Sequence, residues 1–161
     1  ASNTFTGSNG TGEGFLGLEL VNGTGNSLTS FSLSYDGEQW TRSNAGAQTI
    51  AVQYSLNATS LTTGTWTTAG AGLTFTAPQV GNPAVVLDGN ASANRASLSG
   101  TVSSINWTSG STLWIRFVDL NDSGSNDLTL AIDNVSFTAV PEPASALLGA
   151  LGLLGLVRRR R

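Results

Sequence analysis

The segment Thr112-Leu113-Trp114-Ile115-Arg116-Phe117-Val118-Asp119 decides how the chain folds. Successive side chains of a β-strand point to opposite faces, so a strand with apolar residues on both faces is covered on both sides. The apolar residues of this segment are Leu113, Ile115 and Phe117 on one face and Trp114 and Val118 on the other. We therefore predict that it forms a central strand of a β-sheet.

Other segments alternate between apolar and polar residues with a period of two, which is typical of strands. Further candidate strands cover residues 15–21, 73–76, 85–87 and 98–107, and the alternating segments cover residues 31–35, 50–56 and 128–137. In the last of them the alternation shifts by one residue near Asp133 and Asn134, which predicts a β-bulge. Turn-forming residues separate these segments, and no sustained helical periodicity precedes residue 140. The sequence thus predicts an all-β fold over residues 1–139, an antiparallel two-sheet β-sandwich with a jelly-roll-like topology.

The remaining residues, 140–161, have a different composition. Pro141-Glu142-Pro143 is followed by an uncharged apolar run at 144–157 and then by Arg158, Arg159, Arg160 and Arg161. As a helix, this run would be about 21 Å long, against a hydrocarbon core of about 30 Å. We expect a short C-terminal hydrophobic helix that engages the membrane transiently. Its arginines would lie on the cytoplasmic side and the preceding domain outside.

This order of short signature, apolar segment and basic end resembles the PEP-CTERM sorting tail. In that family the tail is recognised by an exosortase, a membrane-embedded cysteine protease of Gram-negative bacteria that make exopolysaccharide. The resemblance implies that Pro141, Glu142 and Pro143 are the recognition signature. It also implies cleavage near this signature and release or transfer to the cell surface or the extracellular matrix. The body of the chain resembles the jelly-roll ectodomains often joined to such tails.

The charge balance agrees with an exported domain. Residues 1–140 contain nine acidic residues and three arginines, a net charge of −6, and the chain has no lysine. Nucleic-acid binding requires a basic patch, so we expect no nucleic-acid partner. Cysteine and histidine are absent as well, which excludes disulfides, Ser-His-Asp or Cys-His triads and the usual zinc ligands.

The beginning of the chain departs from that of a newly made exported protein. Ala1 is not a methionine, and no basic segment followed by an apolar one precedes the domain. Such a segment would be the export signal that a protein with this tail is expected to carry. We therefore expect a processed, recombinant or fragmentary form of a longer protein, and a fragment would lack early strands.

The acidic stretch at 119–127 is the best local candidate for a metal site. Asp119, Asn121, Ser123 and Asp127 stand at its first, third, fifth and ninth positions, with glycine at the sixth. This spacing matches the front of a calcium loop, and Asp133 is a candidate further ligand. The twelfth position is leucine rather than glutamate, so a complete EF-hand is excluded. The favoured alternative is a polar hairpin turn in which Asp and Asn side chains bind the backbone.

Aromatic and acidic residues supply the remaining candidates. Trp40 and Trp66 are flanked by turn-forming residues, and exposed tryptophans of a β-sandwich can stack on sugar rings. The alternative for both is packing within the protein. Carboxylates could also form the catalytic pair of a glycoside hydrolase, but the sequence pairs none of them.

The leading interpretation is a non-enzymatic surface or matrix protein that is sorted by an exosortase. It would either associate with exopolysaccharide or another carbohydrate, or have a purely adhesive or matrix-building role without a defined ligand. The competing hypothesis is a carbohydrate-active hydrolase that uses a carboxylate pair.

Overall fold

A computed structural model describes residues 2–3, 13–44, 46–120 and 127–141, of which residues 2, 3 and 141 are described by their backbone alone. Its strands are numbered in chain order. The first sheet contains, from edge to edge, β1 (Ser2–Asn3), β11 (Leu130–Pro141), β3 (Leu28–Gln39) and β9 (Arg95–Trp107). The second contains β2 (Glu13–Val21), β10 (Thr112–Leu120), β5 (Thr49–Ser55) and β6 (Thr67–Thr68), with β7 (Phe75–Thr76) also paired to β5. A separate two-stranded ribbon joins β4 (Thr41–Arg42) to β8 (Val85–Val86).

The two sheets form the predicted all-β sandwich, and every strand pair is antiparallel. Successive long strands alternate between the sheets, so the chain winds around the core in a jelly-roll-like manner. The hydrophobic core lies between the two sheets and is formed mainly by the side chains on the inner face of each sheet. Its largest fully buried side chains are Tyr35, Phe31, Phe75, Leu28, Leu33, Leu73, Leu113, Ile115, Leu128 and Leu130.

The prediction of a central strand at 112–119 is confirmed. β10 lies between β2 and β5 and pairs with both along most of its length. Leu113 and Ile115 are fully buried in the core, and Val118, on the opposite face, is only 4% exposed. Side chains and loop residues therefore cover β10 on both sides, as its sequence pattern requires.

The predicted bulge is also confirmed. The register between β11 and β3 shifts between Asp133 and Ser136. Asn134 has a positive φ of 51°, a conformation that asparagine tolerates better than most residues. The bulge restores the inward direction of Phe137, which would otherwise face solvent.

The strand predicted at 73–76 is wrong in part. Residues Ala71–Leu73 form a 3₁₀ turn, and only Phe75 and Thr76 pair as a strand. The turn begins after Gly70, whose φ of 117° suits glycine, and the Leu73 amide donates to the Gly70 carbonyl. Leu73 still reaches the core, so burial alone did not distinguish a turn from a strand at this position.

Among the described residues, no helix is long and apolar enough to cross a membrane. The predicted C-terminal helix lies outside these residues. β11 continues through Val140 to Pro141, two residues beyond the end of the predicted sandwich domain at 139.

Buried amide side chains fasten several loops to the sandwich. Gln39, which is fully buried, donates from Nε2 to the Thr41 and Gln79 carbonyls and accepts from the Gln79 amide. Asn22 binds the Trp107 carbonyl from the same kind of buried position. A buried polar group is costly unless it is hydrogen-bonded, so these bonds specify one loop conformation.

The buried Tyr35 makes the stability of the fold depend on pH in the alkaline range. Its hydroxyl donates to the Leu73 carbonyl, and burial raises its pKa to about 12. An unfolded tyrosine ionises near pH 10, so the stability from this group is complete below pH 10 and is lost as the pH rises toward 12. We expect the free energy of unfolding to fall by about 1.4 kcal/mol at pH 11 relative to pH 9 from this group. Urea unfolding at both pH values measures the loss, which should be absent in Tyr35→Phe and retained in Tyr54→Phe.

Candidate functional site

The outer face of the first sheet carries a regular group of hydroxyl side chains from three adjacent strands. We call it the hydroxyl face. In the register of the sheet, Ser32 lies between Thr101 and Thr138, and Ser34 lies between Ser99 and Ser136. These residues point outward because Phe31, Leu33 and Tyr35 occupy the alternate, inward positions of β3. The hydroxyl face is thus two rows of three hydroxyls.

The hydroxyl face forms a shallow depression of about 320 Å³, completed by Leu33 and Gly100. It is concave at this point because the six side chains are short. The hydroxyls of Ser32 and Thr101 lie 2.8 Å apart and bind one another across the strands. None of the six side chains is charged. Each hydroxyl can both donate and accept, so the surface can match a ligand that presents hydroxyls of its own.

Acidic residues border one end of the hydroxyl face. Asp36 is paired opposite Asp133 across β3 and β11. Its carboxylate accepts hydrogen bonds from Ser97 and Asn134. Both hydrogen bonds lower the pKa of Asp36, and the bond from Ser97 has the larger effect. The positive charge of Arg95 lowers this pKa further. Asp36 is therefore a charged acceptor at neutral pH.

Trp40 lies beyond the same end of the hydroxyl face. Its indole nitrogen donates to Glu38 Oε2 at 3.0 Å, and Glu38 follows Asp36 in the outward row of β3. The ring also packs closely against the backbone of Gly89. Trp40 is half-buried and Glu38 is only 5% exposed, so the indole covers the carboxylate.

Trp66 lies in the loop between β5 and β6, against the outer face of the second sheet. The guanidinium of Arg116 stacks on it, with the guanidinium carbon 4.1 Å from the ring centroid, and its indole nitrogen donates to the Thr63 carbonyl. Arg116 belongs to the outer face of β10, where it binds Gln53 of β5. The two predicted tryptophans thus lie beside different sheets of the sandwich and do not form one cluster.

The candidate calcium ligands are only partly described. Asn121 and Ser123 lie outside the described residues. Asp119 and Asp127 are 7% and 5% exposed, and Gln48 Nε2 donates to Asp127 Oδ1 at 2.7 Å. Asp133 accepts from the Asn134 amide at the bulge. Within the part of the chain that the structure covers, no three acidic side chains form a group that could hold a metal ion. The calcium site stays a prediction.

The last strand connects the sandwich directly to the tail. β11 remains paired with β3 as far as Pro141, which lies opposite Leu28. Pro141 is also the first residue of the Pro-Glu-Pro signature, so no spacer separates the sheet from it.

Residues 139–161 match the PEP-CTERM protein-sorting motif. The match includes the whole signature, Pro141, Glu142 and Pro143, and the arginines at 158–161. The chain is accordingly an exported protein that is membrane-anchored before an exosortase processes it. No curated protein matches the chain. The PEP-CTERM motif therefore explains the sorting of the protein.

The sequence predicted the PEP-CTERM signature but missed the hydroxyl face. A signal was present in the sequence. Serine or threonine occupies every second position at 30–34, 97–103 and 136–138, and the positions between them hold glycine or an apolar residue. This alternation shows that each strand has a polar side. It does not show that the three strands are neighbours in one sheet, which is what turns separate rows into a surface.

Proposed function

We propose that this PEP-CTERM protein is a non-enzymatic component of the cell surface or extracellular matrix that associates with exopolysaccharide through the hydroxyl face. The observation that carries the proposal is the grid of six hydroxyls on three neighbouring strands, with its shallow depression. The sorting route supports it, because an exosortase substrate leaves the cell interior.

The hydroxyl face suits a neutral sugar chain in both chemistry and shape. Sugar hydroxyls donate and accept hydrogen bonds, and so do serine and threonine side chains. Strands lie about 4.8 Å apart and alternate residues about 6.6 Å apart, so the hydroxyls repeat at regular intervals along an open surface. Such a surface can contact several sugars of an extended chain, each contact being weak. Many weak contacts along one polymer together hold the protein on it, as a component of a polysaccharide matrix requires.

The electrostatics of Asp36 suit a hydrogen-bond acceptor rather than a general acid. Asp36 and Asp133 are the two acids that face one another beside the hydroxyl face. A glycoside hydrolase needs one carboxyl with a raised pKa to act as general acid. Asp36 has a lowered pKa because it accepts bonds from Ser97 and Asn134. It is suited to accept hydrogen bonds from sugar hydroxyls rather than to donate a proton.

Removing hydroxyls without changing the shape of the surface tests the proposal. A four-site variant combines Thr101→Val, Thr138→Val, Ser34→Ala and Ser99→Ala. We expect it to bind the producer's exopolysaccharide about tenfold more weakly or worse, because each lost hydrogen bond contributes roughly 1 kcal/mol. Co-sedimentation or calorimetry with the purified polysaccharide measures the change. The matched control is Thr67→Val with Thr68→Val on the second sheet, which should leave binding unchanged. Equal affinity of the four-site variant and the unaltered protein would refute the assignment.

The two tryptophans provide a separate comparison. Trp40 lies beyond the acidic border of the hydroxyl face, and Trp66 lies beside the other sheet, so Trp40→Ala should weaken polysaccharide binding more than Trp66→Ala. Release of reducing sugar by the unaltered protein, abolished by Asp133→Asn, would instead establish the hydrolase alternative.

A further inference from the structure

Charge is distributed unevenly between the two ends of the sandwich. At one end lie two loops, residues 22–27 and 108–111, together with the beginning of the loop at 56–66, and none of them contains a charged residue. We call this end the uncharged pole. Two of its loops are joined by backbone hydrogen bonds, from Asn22 N to Ser111 O at 3.0 Å and from Gly110 N to Asn22 O at 2.7 Å. The nearest acid of the neighbouring strands, Glu19, lies opposite Trp114 within the paired part of the sheet.

The acidic residues gather at the other end. Glu13 begins β2, Glu38 is the penultimate residue of β3, and Asp119 is near the end of β10. Asp88 and Asp127 belong to loops that join the strands at this end. β3 runs from Leu28 at the uncharged pole to Gln39 at the acidic end, a length of about 36 Å.

The chain leaves the sandwich at the uncharged pole. Pro141 is opposite Leu28, and Leu28 is opposite Trp107, the residue before loop 108–111. Only Glu142 and Pro143 separate Pro141 from the apolar run that begins at Ala144. Three residue steps span at most about 10 Å. The headgroup region on one side of a bilayer is about 5–7 Å thick, so this distance does little more than cross it.

We propose that, in the membrane-anchored precursor, the uncharged pole lies against the lipid headgroups and the acidic end points away from the membrane. Two independent observations support this orientation. The short connection keeps the pole within reach of the headgroups. The charge pattern agrees, because an anionic membrane surface repels acidic residues within about one Debye length, roughly 10 Å, and of the sandwich acids named above only Glu19 is near the pole, while the acidic end lies well beyond that distance.

The absence of cysteine from the sequence allows a direct test with single labels. Ser27→Cys and Ser109→Cys place a fluorophore at the uncharged pole, and Ser92→Cys places one at the acidic end, all at exposed positions. Each full-length variant is inserted into phosphatidylcholine–phosphatidylglycerol vesicles that carry a nitroxide on the headgroup. Measurement is restricted to vesicles recovered by flotation, and circular dichroism verifies that each variant keeps its β-structure.

The expected result is loss of most of the emission at positions 27 and 109, with little loss at position 92. Equal quenching at the three positions, or stronger quenching at 92, would overturn the proposal. Because these vesicles contain no protease, the quenching reports lipid contact alone. If quenching at 27 and 109 required co-reconstituted exosortase, the pole would be a protease-binding surface and the lipid proposal would fail.

Discussion

Replacing Arg116 by alanine is expected to lower the free energy of unfolding by about 4 kcal/mol. Arg116 is 9% exposed on the outer face of β10. Its Nε and Nη2 donate to Gln53 Oε1 at 2.9 and 2.6 Å, and its Nη1 donates to the Leu61 carbonyl. Its guanidinium carbon lies 4.3 Å from the Phe15 ring centroid, with Trp66 also in contact.

These contacts make Arg116 the link between three parts of the second sheet. Phe15 is on β2, Gln53 on β5, and Leu61 and Trp66 belong to the loop that follows β5. Desolvation lowers the pKa of Arg116, while the charge of Glu13 opposes this shift. Arg116 remains protonated at neutral pH despite this shift, because arginine is not deprotonated in proteins. Without it, the two acceptors lose their donor and the two rings lose their packing partner.

Urea unfolding of Arg116→Ala and Arg116→Lys measures this link. Lysine keeps the charge but lacks the planar group that stacks on two rings and binds Gln53 through two nitrogens, so most of the loss should remain. Arg95→Ala removes the same charge from an exposed site and should change stability by no more than about 0.5 kcal/mol. A similar small effect for Arg116→Ala would mean that the cluster does not stabilise the fold.

Replacing Gly37 by valine is expected to cost about 3 kcal/mol. Gly37 lies on the inward face of β3, where the fully buried ring of Phe75 packs directly on its backbone. A Cβ atom at this position would overlap Cγ and Cδ2 of the ring and lie 2.8 Å from Phe75 Cβ. Valine favours strands, so the loss would arise from this overlap and not from backbone preference.

The dependence on Phe75 separates this explanation from a general effect of losing glycine. Gly37→Val should cost less in a Phe75→Leu background, because the smaller side chain leaves room. Gly23→Val is the matched control, since no atom lies within 4 Å of a Cβ built there. Equal costs of Gly37→Val in both backgrounds would contradict the packing argument.

Local sequence pattern was sufficient for several features of this protein. Apolar residues on both faces of 112–119 predicted the central position of β10, and the change of parity at Asp133 and Asn134 predicted the bulge. The Pro-Glu-Pro signature, the apolar run and the arginines identified the sorting tail. Each of these depends on residues close together in the chain, because strand periodicity and a short recognition motif are local properties.

The tertiary structure alone decided which distant residues meet. Gly37 and Phe75, or Arg116 and Trp66, are separated by dozens of residues, and nothing in either neighbourhood indicates the other. Likewise, the serines and threonines of β3, β9 and β11 become one hydroxyl face only because the sheet places these strands side by side. The uncharged pole forms because separate loops return to the end at which Pro141 leaves. Strand order and register set these contacts through the packing of the whole core, whereas the sequence pattern of each strand specifies only which of its sides is buried.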